Sequence, residues 1–171
     1  MQKRTDVYKF KGNPLTLLGN PVTVGDKAPA FSIRKGLLPE SAIGLDAFAG
    51  KNLIISFAPS LDTGVCATQT RKFNEKAAGL TDTTILTVTV DLPPAQTRFC
   101  TTEGIQNLTV ASDYAGHSFG LAYGVLVEEM QTLARGVFVV DKAGVVRYAE
   151  ITSDILVEPN YDAVLEVASK L

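Results

Sequence analysis

This 171-residue sequence has little cysteine, almost no histidine and no long apolar run, and each shortage closes a class of function. Its two cysteines, Cys66 and Cys100, cannot build the disulfide framework of a small secreted fold. A bridge between them would be transient and catalytic rather than structural. The cysteines do not form a C-x-x-C pair, which argues against a dithiol reductase. His117 is the single histidine. One histidine gives no ligand cluster, so no metal and no cofactor are expected. It also follows the Cys66 region by some fifty residues, a poor placement for the base of a cysteine hydrolase. No window approaches 18 apolar residues, which argues against a membrane-crossing helix. The opening MQKRTDVYKFKGNP has no apolar core of a secretory leader, so a soluble, cytoplasmic chain is expected. The net charge is −2 with no run of like charge, so neither nucleic acid nor an acidic membrane surface is an expected partner.

What is present is ordinary for a globular protein: 46% hydrophobic and 20% charged residues. The length suits one domain over 1–171, able to bury roughly 70% of its unfolded surface without staples. VYKFK, LTLL and PVTV, separated by GNP turns, predict β structure and an N-terminal hairpin over 1–25 laid onto the main domain. NLIISF (52–57) predicts a central strand covered on both faces. Beyond a loop with Pro59 and Gly64, residues Cys66, Thr70, Phe73 and Ala77 share one face of a helix. A second strand over 84–90 leads to a helix started by Pro93 and Pro94, with Cys100 near its end. A short helix over 118–123, a hairpin over 137–151 and an amphipathic helix after Pro159 close the chain. This is an α/β layout with a central mixed sheet flanked by helices.

The stretch FAPSLDTGVCATQTRKF (57–73) carries the chemistry. A free thiol titrates near 8.5 and is about 3% ionised at neutral pH, whereas the thiolate is the nucleophile. Reaching ~90% ionisation needs about 3.4 kcal/mol of differential stabilisation. A helix N-terminus supplies at most ~2 kcal/mol, and a nearby guanidinium up to ~4 kcal/mol. Desolvation opposes both, so the two together are needed. Cys66 is expected in the first helical turn, where backbone N–H groups are free. Thr63, one turn earlier, is either an N-cap or a donor to the sulfur or to a peroxide oxygen, or both. Pro59 closes the loop without an N–H of its own.

Pro59, Thr63 and Cys66 form P-x-x-x-T-x-x-C after an apolar strand, which resembles the active-site signature of the peroxiredoxins. The longer string PSLDTGVC, followed by Phe73 and Asn74, is similar to the thiol peroxidase branch, the atypical two-cysteine peroxiredoxins. DLPPAQTRFC, AYGV, LARGVFVVD and EPNYDAVLEV extend the resemblance over nearly the whole chain. It implies a thioredoxin-like fold with an N-terminal hairpin extension. It implies Cys66 as the peroxidatic cysteine, Cys100 as the resolving one, Thr63 orienting the peroxide, Pro59 shielding the pocket and Arg135 holding both thiolate and peroxide oxygens. Thioredoxin as reductant and a homodimer are implied in the same way. Nothing local to Arg135 distinguishes it from the other basic residues, beyond its entry onto an apolar strand.

The expected reaction is reduction of hydrogen peroxide and of organic (alkyl or lipid) hydroperoxides through a sulfenic acid on Cys66 and a Cys66–Cys100 disulfide. Bridging requires Cα atoms within about 7 Å, so the Cys100 helix is expected to unwind if the reduced state holds the two further apart. The competing reading is a non-catalytic domain with inert buried thiols, the commoner fate of an isolated cysteine.

Overall fold

A computed structural model describes residues 1–171. Strands β1 (Lys3–Phe10) and β2 (Asn13–Leu18) make an antiparallel hairpin. β3 (Ser32–Arg34) and β4 (Ala42–Gly44) precede β5 (Asn52–Phe57), which feeds α1 (Gly64–Ala77). Then come β6 (Thr83–Thr89), α2 (Pro93–Glu103), β7 (Thr109–Ser112) and the short α3 (Ser118–Ala122). The chain continues through β8 (Leu126–Val127), β9 (Thr132–Leu133), β10 (Gly136–Val140), β11 (Val146–Ile151) and α4 (Tyr161–Ser169).

Seven strands form the central mixed sheet in the order β11-β10-β5-β6-β7-β3-β4, with β5, β6 and β7 mutually parallel. All six residues of β5 are buried because both faces are covered. Alternation sends Leu53, Ile55 and Phe57 into the larger core with Leu86, Val88, Phe138 and Phe119, while Ile54 packs with Phe73, Val139, Val164 and Ala168 beneath α1 and α4. β10, its antiparallel neighbour, is likewise buried at every residue, so the two strands form the covered middle of the sheet.

Two details depart from the sequence-based expectation. PVTV forms no strand: Thr23 turns back on Asp26, donating to Oδ2 from its N–H (2.7 Å) and hydroxyl (2.9 Å), a local bond that competes with pairing. The N-terminal hairpin is also more than an appendage. β2 pairs with β8, and β8 with β9, so the hairpin is half of a second, four-stranded sheet.

Candidate active site

The loop leaving β5 is set by side chains rather than left free. Pro59 is buried at its root. Asp91, just past β6, accepts from Ser60 Oγ (2.6 Å), the Leu61 N–H (2.7 Å) and Thr89 Oγ1 (2.7 Å). This clamp delivers Thr63 to the N-cap position of α1. There the Thr63 side chain caps nothing. Its hydroxyl lies 2.7 Å from Cys66 Sγ and donates to it, with the Ser60 carbonyl at 3.2 Å. Ala67 is the first residue to bond back within the helix, to the Thr63 carbonyl (2.9 Å). The main-chain N–H groups of Gly64, Val65 and Cys66 therefore remain free at the positive end of the helix dipole. Cys66 itself has no solvent exposure, and Thr63 above it is exposed.

Arg135 comes from far away in the chain and arrives through strand register. β10 runs antiparallel to β5 with Gly136 opposite Phe57. One residue further on, Arg135 stands where the chain leaves β5 for the Cys66 loop. Gly136 permits this approach: a Cβ there would sit 2.0 Å from the Glu150 carbonyl oxygen and 2.5 Å from the Phe57 ring. The guanidinium is 1% exposed. Its Nη2 donates to Cys66 Sγ (3.1 Å), Nη1 to Gln69 Oε1 (2.8 Å) and Nε to the Ile155 carbonyl (2.8 Å). No carboxylate lies within ion-pair distance of it. An unpaired buried cation costs several kcal/mol. The sulfur is the one partner in hydrogen-bonding reach of this guanidinium that can carry the compensating negative charge.

The fold thus brings Thr63, Cys66 and Arg135 onto one sulfur, with Pro59 buried at the base of the same loop. It does not bring Cys100 to them. Cys100 lies in the last turns of α2, half-buried, and both thiols are free. Burial raises its thiol above the ordinary value and so keeps it protonated. Cys100 lines a cavity of about 520 Å³ beside Lys35, Gln96 and Thr97. Its carbonyl accepts the N–H groups of both Gly104, in the left-handed conformation (φ 64°), and Ile105 (2.9 Å). His117 stands at the start of α3, and no group of three or more His, Cys, Asp or Glu side chains is placed to hold a metal ion.

Two participants escaped sequence reasoning. Gln69 is fully buried, its Oε1 on Arg135 and its Nε2 donating to Ser56 Oγ (2.8 Å), so it fixes the plane of the guanidinium. Its signal was available: a glutamine one turn from Cys66, beside the apolar stripe. Asp91, the loop clamp, had no such signal, since an aspartate before two prolines reads as an ordinary helix start.

Residues 23–165 match the Redoxin family model. The chain is 51% identical to a thiol peroxidase of Halalkalibacterium halodurans over 93% of its own length and 95% of that protein. It is 48% identical to a thiol peroxidase of Listeria monocytogenes, covering 94% and 96% of the two chains. The crystal structure of a peroxiredoxin-like protein from Aquifex aeolicus superposes with a TM-score of 0.88 at 39% identity over 99% of each chain. Whole-length likeness of this order, converging on a sulfur held by a hydroxyl and a guanidinium, puts the chain in the Redoxin family, as a peroxidase of its thiol peroxidase branch.

Proposed function

We propose that this protein reduces hydrogen peroxide and organic hydroperoxides at Cys66 and is recycled through a Cys66–Cys100 disulfide by a dithiol protein of the thioredoxin type. The observation that carries the reading is a buried guanidinium with no carboxylate partner and one Nη on the Cys66 sulfur. A thiolate there balances the charge, and an ionised sulfur is what attacks peroxide.

In the first step the thiolate attacks the distal oxygen of ROOH in line with the O–O bond. An S–O bond forms, the O–O bond breaks, and RO⁻ leaves to take a proton as water or alcohol. Arg135, Thr63 and the free N–H groups at the start of α1 stabilise negative charge as it moves from sulfur onto oxygen. Pro59 keeps solvent from one side of the pocket. In the second step the Cys100 thiol, released from its burial as α2 opens, gives up its proton and attacks the sulfenic sulfur; the S–S bond forms, the S–O bond breaks, and the hydroxide leaves as water with a proton equivalent to the one Cys100 lost. α2 must open for the sulfurs to meet. In the third step an external dithiol exchanges with the disulfide and restores both thiols.

On this reading the whole chain works as one domain, hairpin included, in a reducing compartment such as the cytoplasm and as a homodimer. No helix is long and apolar enough to cross a membrane. The test is peroxide turnover coupled to thioredoxin and its reductase, across hydrogen peroxide and alkyl hydroperoxides. Cys66→Ser is expected to abolish turnover. Cys100→Ser is expected to keep the first oxidation and lose recycling by thioredoxin. A Cys66→Ser protein that still consumes peroxide at the original rate overturns the assignment.

A further inference from the structure

The carboxylate that clamps the Cys66 loop has a second arm. Asp91 stands between β6 and α2, immediately before Leu92, the N-cap of the helix that carries Cys100. Toward the Cys66 loop, its Oδ1 accepts from Ser60 Oγ (2.6 Å) and its Oδ2 from the Leu61 N–H (2.7 Å). The Ser60 carbonyl accepts the Thr63 N–H (3.3 Å), which places the hydroxyl that donates to the Cys66 sulfur (2.7 Å). Toward α2, the same Oδ2 accepts from Thr89 Oγ1 (2.7 Å), and Thr89 Oγ1 accepts from Gln96 Nε2 (3.0 Å). Gln96 lies one helical turn before Cys100, and the two line the same cavity.

The clamp has few substitutes on the α2 side. No side chain caps the start of that helix, and its buried residues are Pro93 and Gln96 alone. Thr89 and Gln96 are both buried, so their bonds are made away from water. No lysine or arginine lies within ion-pair distance of Asp91. Its two oxygens are taken up by three neutral donors, with Oδ2 shared between Leu61 and Thr89. A turn of the carboxylate that follows one arm therefore pulls on the other, because hydrogen bonds weaken steeply as their angles open.

We infer that Asp91 is a positioning residue that couples the two cysteines, holding Thr63 on the Cys66 sulfur with one arm and the start of α2 with the other. Loosening either segment then loosens its counterpart, and such a coupling is reciprocal. The inference rests on the peroxidase reading for its place in turnover, but two single-thiol proteins test it without peroxide. With Cys100→Ser, the rate of Cys66 alkylation by iodoacetamide against pH reports the hold on the sulfur. With Cys66→Ser, the alkylation rate of half-buried Cys100 under native conditions reports the opening of α2. Into each goes one change at a time: Ser60→Ala, which cuts the Cys66 arm, or Gln96→Met, which cuts the α2 arm at similar volume. Each change is expected to move both reporters, raising the Cys66 midpoint by several tenths of a pH unit and speeding Cys100 labelling about 2- to 5-fold. In an Asp91→Ala background the effect of each change on the opposite thiol is expected to vanish. Asp91→Asn, which offers one acceptor oxygen to three donors, serves if the alanine protein fails to fold. Absence of either cross effect overturns the inference. Cross effects that persist without the Asp91 carboxylate also overturn it, since they belong to a general loosening of the fold. If the unaltered protein fails to consume peroxide, the peroxidase reading falls while the two labelling profiles still decide the coupling.

Discussion

The two cysteines sit on helices of opposite character. α1 is braced along its length: Gln69 reaches Ser56 and Arg135, Thr70 bonds the Cys66 carbonyl (3.0 Å), and Phe73 packs into the core against the Tyr161 ring. α2 is held mainly at its start, where Pro93 and Gln96 are buried and Gln96 Nε2 donates to Thr89 Oγ1 (3.0 Å). From Thr97 to Glu103 it buries no residue. Its far end is tied down by the Arg71–Glu103 ion pair (2.7 Å) and by Asn74 Oδ1, which accepts the N–H groups of Gln106 and Asn107. The sulfur proposed to react is on the helix braced along its length, and the sulfur proposed to travel is on the one that buries no residue over its second half.

The comparison breaks most visibly at Arg135. Arg135→Met keeps the volume and removes the unpaired buried cation, so the fold is expected to survive. Oxidation of Cys66 should nevertheless fall by about 10²- to 10³-fold, the usual cost of removing a donor to developing charge. Stopped-flow or competition kinetics with hydrogen peroxide measures it. A loss below threefold would place the charge balance elsewhere.

Rigidity on the Cys66 side is tested next by Gly136→Ala. The added methyl meets main chain on one side and an aromatic ring on the other, so destabilisation of roughly 2–3 kcal/mol is expected from urea unfolding.

Asp113 supplies a comparable effect that depends on pH. Burial raises its carboxyl to about 6, although the N–H groups of Phe119 (2.9 Å) and Gly120 (2.8 Å) donate to it. The folded state therefore prefers the protonated acid. The associated stability is fully present below about pH 4 and is lost as the pH rises through 6, amounting to up to about 3 kcal/mol. Unfolding free energies between pH 4 and 7 read the slope, and Asp113→Asn should flatten it.

The smallest effect sharpens the contrast on the other side. Arg71→Ala breaks a partly exposed ion pair worth about 0.5 kcal/mol. Global stability should barely change. Opening of α2 is expected to become about twofold easier, read as faster Cys66–Cys100 disulfide formation after a single peroxide equivalent.

How much of this was legible depends on distance along the chain. Pro59, Thr63 and Cys66 fall within eight residues, and one strand–loop–helix unit fixes their mutual geometry, so the spacing carries the site. Arg135 lies 69 positions beyond Cys66 and meets it only through the Gly136–Phe57 register, which no local pattern encodes. It was reachable through family resemblance alone. The central strand was legible because two-sided burial demands an unbroken apolar run. β7, β3 and β4, three or four residues each, were not, because they take their structure from neighbours rather than from periodicity.

The carbonyl of Cys100 is also the peg on which the end of its own helix hangs, holding the amides of Gly104 and Ile105 together. In the proposed cycle the thiol cannot depart without letting go of both. On the proposed cycle, drawing Cys100 away from its helix end loosens the hold on Gly104 and Ile105, which would give the oxidised molecule a differently contoured flank. A reductase that grips this flank can tell by touch which molecules need electrons.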